Sequence, residues 1–239
     1  MPEIGLVAGT VFYGLDLFSR QGQKQTIETQ FGPSQVIITE HVVYIPRHGL
    51  DAQKYIFPHE LNHRANMTAL KSLGITEVVA VNSVGSLKID LPPGTIVVPD
   101  DYILLYPVPT TIADTARHLP PRLSSGVQSK ILDAAGKKLI PVIHGGVYWQ
   151  TSGPRFETKA EIRLMKNFAD LVGMTMASEA IVAQEVGLEY AAICSVDNYA
   201  NGLIDTPLTE AQIRQAALKN SDLMITIVSE YLGRGLTTV

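Results

Sequence analysis

The stretch "EVVAVN", residues 77 to 82, is apolar from Val78 to Val81. A strand with one wet face alternates apolar and polar residues, so an unbroken run of small and β-branched side chains points to a strand covered on both faces. Upstream, residues 60 to 73 read as a helix: Leu61, Ala65, Ala69 and Leu73 recur every four positions, with Arg64 and Lys71 off that line. Gly74 stands where a helix C-cap is expected. The same alternation continues along the chain. "IGLVA" (4 to 8), "QVIIT" (35 to 39), "VVYIP" (42 to 46), "TIVVPD" (95 to 100) and "YAAICSV" (190 to 196) read as strands. Residues 158 to 169, with Ile162, Met165 and Phe168 every three, and 209 to 232, with Ile213, Ala217 and Ile227, read as helices; Gly187 marks another C-cap. The pattern predicts an α/β fold, a mixed central β-sheet flanked by helices on both sides, with functional loops at strand ends. Residues 104 to 126 break the rhythm with Pro107, Pro109, Pro120 and Pro121. A loop that long in a compact domain points to a lid or a subunit contact.

With 239 residues, 46% of them hydrophobic, the chain is expected to be a single domain, 1 to 239. A net charge of −4 and no basic run longer than two residues argue against a nucleic-acid partner. The N-terminal "MPEIGLVAGTVFYG" has no basic region followed by an apolar one, and no apolar run reaches the roughly 18 residues of a membrane span, so the expectation is a cytoplasmic protein off the membrane. Cys194, in "YAAICSV", has no disulfide partner and no metal-ligand spacing; it reads as a reduced core residue.

"HELNH", residues 59 to 63, matches the H-E-x-x-H zinc signature. Pro58 makes His59 the second residue of its helix, a poorly fixed place for a ligand, and no third ligand follows at a recognisable spacing. A helix-start role is preferred, no metal is expected, and a metallopeptidase is kept as the rival. Strand-end loops offer more. "AGTVFYG" could surround an anion with a hydroxyl and backbone N–H groups. In "PRHG", Arg47 is a fork for phosphate or carboxylate and His48 can exchange a proton. "NSVGSL", residues 82 to 87, adds more hydroxyls and N–H groups. Three such loops on one sheet edge together point to a bound oxyanion.

In chain order "PRHG", "FPHELNHRANMTALKSLGITEVVAVNSVGSL", "PPGTIVVPDDYI", "TSGPRFETKAEI" and "GMTMASEAIVAQEVGLEYAA" resemble the trimeric purine nucleoside phosphorylase and methylthioadenosine phosphorylase family, over about residues 4 to 232. Relatives often have tyrosine where His63 stands and use no metal. The resemblance implies phosphorolysis, with inorganic phosphate as co-substrate, no cofactor, and a trimer or dimer of trimers. It implies phosphate binding by Thr10, Arg47, His48, Ser83 and Thr175, with Asn82 in the same loop, Met174 against the ribose and Phe156 lining the base pocket. The first loop departs from the family's Gly-Gly-Thr/Ser-Gly because Ala8 and Val11 replace glycines, and valine tolerates φ > 0 poorly.

Base choice follows from Glu157 and Asn198, which stand where the resemblance implies the 6-oxopurine branch has Glu and Asn. A carboxylate accepts N1–H of hypoxanthine or guanine but faces a lone pair at N1 of adenine. Asn198 and His48 are the expected catalytic residues; Asn198 accepts from N7–H and donates to O6 as the base leaves. Asp197 is an alternative base contact, and a solvated place in a helix's first turn is the plain alternative for Glu157. Arg155 is expected to anchor its own loop. At the 5′ end no histidine stands in "TPLTEAQI"; Thr209 lies nearest, and Leu208 and Ile213 would suit a methylthio group. His118 matches a histidine that reaches the adjacent subunit's site, with a plain surface role as its alternative. The expectation is a 6-oxopurine nucleoside phosphorylase accepting inosine, guanosine or 5′-methylthioinosine. The other readings are a methylthioadenosine phosphorylase, a nucleosidase using water, and a nonenzymatic nucleoside-binding protein.

Overall fold

The computed structural model describes residues 2–12, 18, 22–51, 54–105, 107–113, 117–206 and 209–233, with the backbone alone over 210–214. In chain order it comprises β1 (Ile4–Ala8), β2 (Gln23–Thr29), β3 (Gly32–Ile38), β4 (Val42–Pro46), α1 (His63–Ser72), β5 (Glu77–Ser86), β6 (Ile96–Val98) and β7 (Asp101–Ile103). Then come α2 (Ser125–Lys137), β8 (Ile143–His144), β9 (Val147–Gln150), α3 (Lys159–Met165), β10 (Leu171–Gly173), α4 (Met176–Glu185), β11 (Glu189–Tyr199) and α5 (Glu210–Tyr231).

These strands join in one mixed sheet whose parallel centre is β4-β1-β5-β11. Alternate residues of those strands serve two cores. Leu6, Val79, Val81, Ala191 and Ile193 pack with Val127 and Ile131 of α2 and Met224 and Ile227 of α5. Val7, Val78, Ala80, Ala192 and Cys194 pack with Met67 and Leu70 of α1 and Met176 and Ala180 of α4. Both faces of "EVVAVN" are therefore covered, which is why its sequence lacks alternation. Cys194 is a free thiol in the second core, where burial pushes its pKa up.

Local signals fix the helix ends. Asn62 caps α1 by accepting from Ala65 N at 3.0 Å, and Gly74, at φ +82°, carries the chain out of it. Thr158 and Glu161 form a capping box on α3. Two expectations need correction. The α1 helix begins at His63, and Pro58–Glu60 is a separate 3-10 turn, so the two histidines of "HELNH" do not share a helix face. Helix α3 ends at Met165; Phe168 lies beyond it, 62% exposed, and Ala169 takes the inward position instead.

The parallel strands end together. Register pairs Ala8 with both Pro46 and Val81, and Cys194 with Asn82, so the segments after β1 and β4 lie beside the outer halves of β5 and β11. A bulge in β11 leaves Asp197 without a partner on β5, since Val196 pairs Val84 and Asn198 pairs Gly85. Among the described residues no helix is long and apolar enough to cross a membrane.

Candidate active site

Arg47 and His48 follow β4 and are buried at 3% and 4% exposure. Glu179 on α4, 0% exposed, holds the guanidinium by two bonds, from Nε at 2.5 Å and Nη2 at 3.0 Å, while Nη1 donates to Val81 O at 3.0 Å. Tyr190 O–H donates to the same carboxylate at 2.9 Å. The sequence reading missed this partner, although an acid inside "MASEAIVA" is a signal: a buried carboxylate in an apolar helix requires a cation.

His48 is fixed by the segment that follows it. Its Nδ1 lies 2.8 Å from Ile56 O, and its ring stacks on Tyr55 at 4.4 Å. A carbonyl only accepts, so in the neutral ring Nδ1 carries the hydrogen and Nε2 is the acceptor. Burial, and then the Arg47 charge, lower its pKa to about 4. The ring is neutral at pH 7.

Gly9 shows where these groups converge. A Cβ there would stand 2.8 Å from both Arg47 Nη1 and His48 Nε2, so the first loop needs glycine to pass over them. Thr10 is exposed on the turn closed by Phe12 N and Gly9 O at 2.9 Å. The departures at Ala8 and Val11 bring no strain: neither has positive φ, and both side chains are core. Ser83 on β5 is half-buried. Asn82 Nδ2 donates to Thr175 Oγ1 at 2.9 Å, tying β5 to the start of α4.

A second group lies along β9, β10 and β11. Glu157 is 6% exposed and accepts from Thr151 Oγ1 at 2.6 Å, which excludes the solvated alternative for it. Asn201 Nδ2 donates to Glu157 O at 2.9 Å. Phe156 is 44% exposed beside it. Arg155 forks onto Glu161, both bonds 2.8 Å, and donates to Phe156 O at 3.0 Å: it anchors the loop. Met174 is half-buried, with its sulfur 2.7 Å from where a Cβ on Gly153 would stand. Asn198 is half-buried, with one amide N–H on Tyr199 O at 2.9 Å.

His118 lies apart, exposed on the long loop. That loop is held to α4 through Glu185, which accepts from Thr110 Oγ1 at 2.8 Å and Thr111 N at 2.5 Å. Thr209 is exposed; Leu208 and the Ile213 side chain lie outside the described residues. His63 is buried against Glu179 and Arg47, its Nδ1 3.9 Å from Glu179 Oε1, and burial lowers its pKa to about 4. Among the described residues no group of three or more His, Cys, Asp and Glu could hold a metal ion.

A buried guanidinium and imidazole meet beneath a glycine turn, and a buried carboxylate stands beside an exposed ring: such a site is suited to an anion and a flat polar heterocycle. The description "Phosphorylase superfamily" matches residues 3–233, and the chain belongs to that family. Within it the chain falls among nucleoside phosphorylases. It is 38% identical to the "Probable 6-oxopurine nucleoside phosphorylase" of Archaeoglobus fulgidus, covering 95% of this chain and 94% of the relative. It is 36% identical to the "Probable S-methyl-5′-thioinosine phosphorylase" of Methanocaldococcus jannaschii, over 97% and 92%. A methylthioadenosine phosphorylase from Schistosoma mansoni, solved with adenine, superposes with a TM-score of 0.88 at 26% identity, over 98% of this chain and 91% of that one.

Proposed function

We propose that this chain cleaves the N-glycosidic bond of 6-oxopurine nucleosides, inosine, guanosine or their 5′-methylthio forms, with inorganic phosphate. The products are free base and a (5-methylthio)ribose 1-phosphate. The observation that carries it is the convergence of Arg47 Nη1 and His48 Nε2 at Gly9, since this supports an oxyanion rather than water as nucleophile. In this proposal Thr10, Arg47, His48, Ser83 and Thr175 hold phosphate. Arg47 enters already neutralised by Glu179, so it acts by directed donation more than by net charge. A neutral His48 accepts the P–OH hydrogen of monohydrogen phosphate at Nε2, aiming an unprotonated oxygen at C1′.

The C1′–N9 bond breaks as the C1′–O bond forms, and its electron pair passes to the purine, which takes a proton from water at N7. The P–OH proton leaves by way of His48 Nε2 to solvent, so the sum is neutral base and the sugar 1-phosphate dianion. Asn198 accepts that N7–H and donates to O6, contacts that strengthen as charge builds. Glu157, with one oxygen occupied by Thr151, accepts N1–H with its second; Phe156 covers the ring and Met174 packs on the ribose. This burial of Glu157 favours 6-oxopurines over the methylthioadenosine alternative.

No cofactor is required. The role carries with it a cytoplasmic enzyme of purine salvage, assembled as a homotrimer or dimer of trimers, with His118 reaching the neighbouring subunit's site. Phosphorus NMR tests the chemistry: inosine should convert inorganic phosphate into a sugar 1-phosphate ester, and hypoxanthine release with no ester signal would refute it.

A further inference from the structure

Asp197 is the bulged residue of β11, 3% exposed, one position before the proposed base contact Asn198. Its two oxygens are treated differently. Oδ1 accepts from Ser195 Oγ at 2.5 Å and from Asn220 Nδ2 of α5 at 3.1 Å, and Asn220 also donates to Ser195 Oγ at 2.8 Å. Oδ2 is buried and has no hydrogen-bond partner. A carboxylate left in that state would keep a buried, unsatisfied charge, whereas a neutral acid would place its hydrogen on Oδ2, because Oδ1 already receives two donors. On β5, Ser83 pairs with Ser195 in register, which sets its hydroxyl beside the Ser195–Asp197 pair, and hydrogen bonding from Ser83 acts on the carboxyl to lower its pKa.

A serine hydroxyl has one hydrogen. If Asp197 is ionised, that hydrogen is drawn to the carboxylate and Ser83 turns lone pairs toward an incoming anion. If Asp197 is neutral, it donates to Ser83 Oγ and the hydroxyl hydrogen is released. We propose that Asp197 is a positioning residue of the phosphate site: as a neutral acid it donates from Oδ2 to Ser83 Oγ and so commits the Ser83 hydroxyl to a phosphate oxygen. Burial raises the pKa of Asp197, against the lowering effect of Ser195, Ser83 and Asn220, in the direction the role requires. Few charges oppose it. On its own strand the titratable neighbour is Cys194, kept as a thiol; β5 brings Asn82 and Ser83, β6 brings Ile96–Val98, and α5 brings Asn220 and Ser221 while its Lys219 and Asp222 are exposed. The ions Arg47 and Glu179 are paired with each other.

The role rests on Ser83 being a phosphate ligand, and steady-state kinetics on the full chain separate the two. Phosphate and inosine are varied in turn at pH 7 for wild type, Ser83→Ala, Asp197→Asn and Asp197→Ala, with thermal unfolding to confirm each fold. Ser83→Ala should raise the phosphate KM about fivefold to tenfold, the value of one neutral hydrogen bond, and move the inosine KM less. Asp197→Ala should do the same. Asp197→Asn, whose amide N–H donates permanently, should hold the phosphate KM within about twofold of wild type. The proposal is overturned if Asp197→Asn behaves like Asp197→Ala, or if it changes the inosine-to-adenosine ratio while leaving the phosphate KM alone. An unmoved phosphate KM in Ser83→Ala removes Ser83 from the phosphate site and this role with it. A moved Ser83→Ala beside unmoved Asp197 variants refutes the role of Asp197 alone.

Discussion

Replacing Glu157 by Gln separates base recognition from folding. The Thr151 hydroxyl donates to Glu157 Oε1 at 2.6 Å, so a glutamine keeps this bond with its carbonyl oxygen and turns its NH₂ toward the base. For inosine the exchange sets a donor against N1–H. The lost bond to a charged acceptor is worth about 1.5–3 kcal/mol, and the N1–H left unsatisfied about 1–3 more. Together they predict a fall in kcat/KM of inosine of roughly 10²- to 10⁴-fold. For adenosine the same NH₂ meets a lone pair, so its kcat/KM should hold or rise. Stability should change by about 1 kcal/mol or less, since the buried bond to Thr151 survives. The assay is initial-rate release of hypoxanthine and adenine at saturating phosphate, alongside thermal unfolding. An inosine-to-adenosine ratio within about threefold of wild type, in a folded variant, would remove Glu157 from the base site.

Three more outcomes are expected. Asn198→Asp should move the preference toward 6-aminopurines by about tenfold or more, because a carboxylate accepts from an exocyclic N6–H but not from O6; an unshifted ratio counts against its role. Glu179→Gln strands the buried Arg47 charge, a loss of about 3–5 kcal/mol, so the unfolding midpoint should fall by on the order of 10 °C and phosphate should restore more of it than in wild type. A shift under about 2 °C would show that this pair does not hold the site. His48 and His63 have folded pKa values of about 4 against 6.5 unfolded, so the unfolded chain takes up protons first on acidification. Their contribution, about 3 kcal/mol each, is full above pH 6.5 and lost as pH falls to 4. His63→Tyr should therefore flatten urea stability over that range, and an unchanged slope would refute its share.

The fold was legible where burial leaves a one-dimensional trace. "VVYIP" and "IGLVA" are β4 and β1 to the residue, because strands covered on both faces need uninterrupted apolar runs. Strand β2, "QKQTIET", left no such trace: it lies on the outer hairpin with its side chains mostly exposed. Helix α4 is buried nearly all round, so it has no polar stripe to betray its period. At the site the chain shows which residues could bind an anion but not what aims them. Arg47 was visible as a fork; Glu179, 132 positions away, which orients it, was not. Thr151, which fixes one oxygen of Glu157, and Ile56 and Tyr55, which set the His48 tautomer and plane, are likewise contacts created by folding.

A substrate panel, followed by base release with and without inorganic phosphate, tests the proposed reaction most directly: inosine, guanosine, adenosine and the 5′-methylthio form of each. Inosine-type and guanosine-type substrates should be cleaved only when phosphate is present, and adenosine-type ones far more slowly. Equal cleavage in phosphate-free buffer would make the enzyme a hydrolase, and faster cleavage of the 6-aminopurines would overturn the base assignment built on Glu157 and Asn198.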